Sequence, residues 1–371
     1  MSFSGNTWSR HNRTGAVLLA LGAGVLLAAC KHSNNTTVTK GLWVANGTNV
    51  LEFIPSQFTS GVVDAAPHIT LTGSGTATTG APQGVTFDSA GNLWVIDPGA
   101  TVNGAANTPA LIKFTAAQLA ALGTTPNPEP MEIVTSTDLA FPQQSVFDSA
   151  GNQWVSDHTN NTVLVFSAAQ LAASGTNATT PSVVITSTTF NGPLGIAFDS
   201  SGNLWVANNG GDNPGTTIVE FAKASLPTPG TGTVNQAMTP TITLSDDGNG
   251  SVQAPWQLQF DSSGNLWSSN AATPFTLVEF AKANLMATAA PTPMTTISPV
   301  TDGGAPSLDN TNGLCFDNLG DIAATNAADA FGIPFYKAPL KTGAITPSTF
   351  FLGATTTLNA PAGCNFGPLV K

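Results

Sequence analysis

Asp97, Asp157, Asn208, Asn270 and Asn326 close five versions of one phrase: LWVID (93–97), QWVSD (153–157), LWVAN (204–208), LWSSN (266–270) and IAATN (322–326). Carboxylates and carboxamides gathered from separate segments can hold a cation or hydrogen-bond a polar ligand, so one such residue per copy marks a candidate site. A second set, Gln83, Gln143, Trp256 and Asn312, stands just ahead of the apolar segments that lead into the phrase, and His158 directly follows Asp157. Other catalytic signatures are missing: the sequence has no G-x-S-x-G elbow, Walker loop, H-E-x-x-H or C-x-x-C pair. DDGNG (246–250) opens like a calcium loop, but position 12 of that register is Trp256, where a carboxylate is needed. It reads as an acidic turn.

A repeat must position these residues. Phe-Asp recurs at Phe87, Phe147, Phe198, Phe260 and Phe316. Each copy begins with an apolar segment such as QGVTFD (83–88), makes a tight turn, and continues into the Trp phrase. A third segment (TLVEF, 276–280) and a fourth (TPTITL, 239–244; HITL, 68–71; TPSVVI, 180–185) follow. All are short, rich in Val, Ile, Thr and Phe, and bounded by Gly, Asn, Asp or Pro, which is strand chemistry. Four strands per repeat of this length is the signature of a β-propeller blade. The first copy, GLWVAN (41–46), lacks its leading strand, and PAGCNF (361–366) supplies one at the far end of the chain. The expected fold is therefore all-β: a six-bladed β-propeller of four-stranded blades, closed by the C-terminal strand completing the first blade.

Within that frame the repeated Asp and Gly-Asn read as turn chemistry, Asp accepting from nearby backbone N–H groups and Gly-Asn supplying positive φ. Trp43, Trp94, Trp154, Trp205 and Trp267 hold one repeated position and are expected to pack blade on blade. The sixth blade has Ala323 there, which predicts a less filled, looser interface. FTAAQLAAL (114–122) and its counterparts predict one or two helical turns serving as a lid over the blade edge.

Loops joining second to third strands, and fourth strands to the next blade, share one face. They carry Asp97, Asp138, Asp157, Asp212, Asp246, Asp247, Asp302, Asp309 and Asp329, and include the long segments 98–109 and 300–312. The opposite loops carry Lys223, Lys282 and Lys341, together with the repeated turn Asp residues. The acidic loop face, with Gln83, Gln143, Trp256 and Asn312 lining the channel mouth, is where a ligand or partner protein is expected, since variable loops on a rigid frame are where binding usually resides.

Ahead of the repeat, Arg10 and Arg13 precede the apolar run GAVLLALGAGVLLAA (15–29), which ends in LAAC (27–30). This predicts a lipoprotein signal over 1–29, lipid on Cys30, a tether over 30–40 and the propeller over 41–371. The lipid would attach an exported, monomeric protein to the bacterial cell envelope, and Lys31 rather than Asp after the Cys implies, by resemblance to enteric lipoproteins, the outer membrane. Without Arg10 and Arg13 the chain has 8 basic against 21 acidic residues, a balance that disfavours nucleic acid. Cys315 and Cys364 fall on innermost strands of neighbouring blades. Their placement allows a disulfide, which an exported protein would keep, or two buried thiols.

The pattern P-x-G-[VIL]-x-F-D-x-x-G-N-L-W-V-x-D/N resembles NHL repeats and the six-bladed gluconolactonase/regucalcin-like and streptogramin lyase-like proteins, over nearly all of the chain beyond the signal. The lactonase resemblance implies a divalent metal on the central axis, held by Glu, Asn and Asp. Asn312-Gly313 resembles one ligand of that set, but Glu52, Glu129, Glu132, Glu220 and Glu279 all fall outside the innermost strands. The lyase resemblance implies a catalytic His beside a Glu, and His158 has no Glu near it in sequence. The expectation is a binding module without cofactor. The alternative is a metal-assisted hydrolase or lyase using Asn312 and the Asp/Asn ring.

Overall fold

The computed structural model describes residues 38–122, 127–210, 215–230, 232–328 and 331–370. The expected signal, Cys30 and most of the tether lie outside the described residues, as do Asp212 and Asp329. Among the described residues no helix is long and apolar enough to cross a membrane.

The described residues are predominantly β and form a β-propeller. A representative sheet, the third, runs outward through Pro142–Phe147, Gln153–Asp157, Thr162–Phe166 and Val183–Thr186 in antiparallel order. The second, fourth, fifth and sixth sheets begin with the innermost strands Gly84–Phe87, Pro193–Phe198, Pro255–Phe260 and Thr311–Phe316. In the first, Pro361–Gly367 pairs with Gly41–Asn46, so the C-terminal strand completes the N-terminal sheet as expected. Each innermost strand lies beside those of the sheets before and after it. Pro361–Gly367 contacts both Thr311–Phe316 and Gly84–Phe87, which closes the ring.

The repeated phrase is stitching. Asp88 accepts from the Ala90 and Asn92 backbone N–H groups, the Asn92 side chain at 2.8 Å and Trp94 Nε1 at 3.2 Å. Asp148 and Asp199 repeat the pattern. Trp43 donates instead to the Pro368 carbonyl, and each of the five Trp residues presents its ring to the Phe of the following Phe-Asp. The pairs are Trp43–Phe87, Trp94–Phe147, Trp154–Phe198, Trp205–Phe260 and Trp267–Phe316, with centroids 5.4–6.1 Å apart. Edge-to-face aromatic pairs of this kind contribute about 0.5–1.5 kcal/mol beyond their area.

The seam after the sixth sheet is not loose, contrary to expectation. Phe58 reaches across from the first sheet and stacks on Phe335 at 5.0 Å, with Phe366 at 6.3 Å. Other sheets have Leu119, Leu171 and Leu285 at the corresponding place, so a larger side chain on one side answers the smaller Ala323 on the other. Cys315 and Cys364 form a disulfide across the same seam, with Cα atoms 5.8 Å apart.

The expected helical turns are present as Ala116–Ala120 and short 3-10 turns elsewhere. The edge covered is the neighbour's, not their own. After the turn, Gly175–Ala178 pairs in parallel with Glu132–Thr135 of the previous sheet. Val234–Ala237, Gly343–Ala344 and Gly61–Val63 pair likewise with the outer strands before them. These straps occupy backbone groups that an outer edge would otherwise expose.

Candidate functional site

The strands present two ends: a loop face, where innermost strands begin, and a turn face, where they end in Phe-Asp. At the loop face the repeated Asp and Asn residues have a different role from the expected ligand ring. Asp97 is fully buried, and its carboxylate accepts from the Gly80, Ala81 and Gly99 backbone N–H groups at 2.7–2.9 Å. Asp157 accepts from Ala140, Phe141 and Asn160. Asn208 accepts from the Asn191 N–H and donates to the Thr189 carbonyl. Asn270 accepts from Gln253 N–H and donates to Thr276 Oγ1, and Asn326 joins Asp309 N–H to the Ser307 carbonyl. Asn46 does the same for Asn359 and Thr357. Each side chain latches the loop entering its own sheet. Burial pushes Asp97 and Asp157 above the usual carboxylate range, against the backbone N–H groups that pull them down. These side chains are buried and engaged within the protein.

The expected channel mouth is also filled. Gln143 and Trp256 are buried, Trp256 among Leu194, Ala362 and Val85. Gln83 is half-buried, and its carbonyl accepts from Gly363 N–H and Gln144 Nε2. The Asn312 carbonyl accepts from Ser269 Oγ at 2.6 Å, and the Leu194 carbonyl from Ser156 Oγ. These bonds draw the innermost strands together where those of the third to sixth sheets carry a β-bulge. His158 is half-buried against Phe141, and burial lowers its pKa against the raising effect of Asp157.

What remains exposed at this face is charge and one projection. Asp138, Asp246, Asp247, Asp302 and Asp309 are partly exposed. Asp246 and Asp247 accept from neighbouring backbone groups, as an acidic turn does. The described lysines, Lys40, Lys113, Lys223, Lys282, Lys337 and Lys341, all sit toward the turn face. Segment 98–109 is a hairpin rather than a loop. Leu93–Val102 and Ala105–Phe114 are ten residues each, against four to six in other sheets, and residues 103–107 are exposed.

Toward the turn face the channel reopens as a cavity of about 220 Å³. Thr86, Gln144, Ser145, Gln257, Gln259 and Asn365 give it polar walls, and Val85, Ile196 and Leu258 apolar ones. Sequence reasoning missed this site. The available signal was polar residues inside innermost strands, as in PQQSVF (142–147) and PWQLQF (255–260), where PLGIAF (193–198) is apolar.

The lactonase-type metal set does not fit. No carboxylate or histidine lines the axial cavity, and the described residues contain no group of three His, Cys, Asp or Glu placed to hold an ion. Glu52, Glu220 and Glu279 face Trp43, Trp205 and Trp267 across strand pairs, away from the axis. Burial pushes Glu52 and Glu132 up to about 7, the latter against Lys113 at 3.5 Å.

Comparison with known proteins agrees on fold. No family model matches the chain, and no curated protein matches it in sequence. A putative 6-phosphogluconolactonase from Bacteroides uniformis superposes at a TM-score of 0.51 with 11% identity, covering 86% of this chain and 84% of its own. A chain of a nidogen/laminin complex gives 0.51 and 14%, covering 88% and 98%. A streptogramin B lyase gives 0.40 and 13% over 70% and 69%. At such identities the likeness is one of architecture, and the class it defines is the β-propeller.

Proposed function

We propose that this chain is a six-bladed, NHL-like propeller, anchored by lipid on Cys30 to the cell envelope, that binds a cationic ligand or partner protein through its acidic loop face. The ring of sheets with four or more strands, each opening on one Phe-Asp segment or its C-terminal counterpart, supports counting six blades. The signal-like run ending at Cys30 supports the anchor. The observation that carries the binding reading is the distribution of charge: the aspartates and projecting hairpin of the loop face have no described lysine among them, whereas at the turn face the described lysines stand with Asp88, Asp148, Asp199 and Asp261. A face of one sign attracts partners of the opposite sign and speeds their encounter.

The test is binding of an oligolysine peptide to the purified ring at low salt. Asp138→Lys with Asp302→Lys should weaken it at least tenfold, while Lys223→Glu with Lys282→Glu should not weaken it. The reverse pattern would remove the loop face from consideration. Cys30→Ala should release the full chain from membranes into the soluble fraction. The alternative, metal-assisted hydrolysis or elimination near Asn312, requires a divalent ion to raise the melting temperature in an Asn312-dependent way.

A further inference from the structure

We infer that the axial cavity at the turn face is a binding site for a neutral, polyhydroxylated small molecule about the size of one sugar ring. It lies at the opposite end of the channel from the acidic face and does not depend on that reading.

Its inner end is built and rigid. Gln257 crosses from the fifth sheet, accepting from the Leu314 N–H at 3.1 Å and donating to the Cys364 carbonyl at 3.1 Å. Gln144 crosses from the third sheet to the Gln83 carbonyl at 3.0 Å. Gly363 makes this crossing possible, because a Cβ there would collide with the Gln144 amide nitrogen. These two amides and the filled mouth above them make the cavity a blind pocket that opens toward the turn face.

Polar atoms inside it lack protein partners. Thr86 is 7% exposed, and its hydroxyl makes no hydrogen bond. Gln259 accepts from the Phe316 N–H at 3.0 Å through its oxygen, leaving its amino group free. The Asn365 carboxamide is unpartnered among the described residues. Thr86 is buried, and Gln259 and Asn365 are partly exposed to the cavity, so their free groups can hydrogen-bond a ligand or water there. Together they offer a hydroxyl, two amide donors and an amide acceptor, which suits groups that both donate and accept, as sugar hydroxyls do. Val85, Ile196 and Leu258 supply apolar walls for ring C–H groups, with Phe198 and Phe260 at the rim. No ionisable side chain lines the cavity, so a charged ligand would lose hydration without compensation. Ligand pockets usually span ~300–1,000 Å³, and this one falls below that range, which limits it to a ligand of about one ring.

Equilibrium dialysis against N-acetyl-D-glucosamine, D-glucose and myo-inositol, with D-glucosamine and D-glucuronate as charged counterparts, tests the assignment. One neutral compound should bind saturably at one site per chain, with the charged compounds at least tenfold weaker. Thr86→Val and Asn365→Leu should each weaken binding about tenfold while leaving the unfolding midpoint unchanged. Asp138→Lys should not affect it. No saturable neutral ligand, equal binding of charged compounds, or folded variants with unchanged affinity would each overturn the proposal. Should a variant fail to fold, hydrogen exchange on the unaltered protein decides the matter. Ligand-dependent protection of 85–87 and 145–147 supports the site, and protection confined to the loop face overturns it.

Discussion

The two ends of the innermost strands use similar residue types to opposite effect. At the loop end, one Asp or Asn per sheet is buried and holds its loop through two or more hydrogen bonds. Inside the turn-end cavity, Thr86, Gln259 and Asn365 share the place just before the innermost Phe, where other sheets have Val146, Ala197 and Cys315, and they keep polar atoms free. Repetition marks what every sheet needs in order to stand. What departs from the repeat is where binding can be placed.

That contrast can be broken most severely at the seam after the sixth sheet. Phe58→Ala should cost about 2–3 kcal/mol, below the ~3–5 kcal/mol for deleting a fully buried aromatic ring, because Phe58 is only partly buried. If Phe58 does replace a missing Trp, Ala323→Trp should be poorly tolerated with Phe58 present and better tolerated with Phe58→Leu. Additive effects in urea unfolding would refute the exchange. Opening the Cys315–Cys364 disulfide with Cys315→Ala and Cys364→Ala should cost about 2–5 kcal/mol.

A smaller effect separates the two repeated aspartates of the third sheet. Asp157→Ala leaves three backbone N–H groups without their acceptor in a buried loop and should cost about 2–3 kcal/mol. Asp148→Ala acts at a half-exposed turn that water can reach, and should cost less. Equal costs would mean that the loop latch is not the stronger tie.

The smallest effect is on pH dependence. Glu52 is pushed from 4.5 to about 7 by burial, opposed by the Val370 N–H. Between those values the folded state keeps a proton that the unfolded chain has released, so stability falls as pH rises through that window. The contribution is on the order of 1–2 kcal/mol, and Glu52→Gln should flatten the curve there. An unchanged slope would place the buried proton elsewhere.

Much of this was legible in the sequence. Turn and strand positions follow from local chemistry: Asp88 to Asn92 closes its own turn, and alternation placed Cys315 and Cys364 on facing sides of neighbouring strands. The latches were misread because their partners lie 16 or 17 residues away in a preceding loop of variable sequence. The straps were invisible because GTNA and VNQA have neither alternation nor apolar residues enough to read as strands. Ala323 was misread as a gap because the residue that fills it comes from the other end of the chain.

The most direct test of the distinction pairs one repeated residue with one unrepeated residue at the same face. Urea unfolding and oligolysine binding should be measured together for Asn270→Ala and Asp302→Asn. Asn270→Ala should lower stability by about 2 kcal/mol and keep its binding, because Asn270 is buried and fully engaged. Asp302→Asn should unfold like the unaltered protein and bind more weakly. An Asn270→Ala variant that is as stable as the parent yet no longer binds would contradict the account.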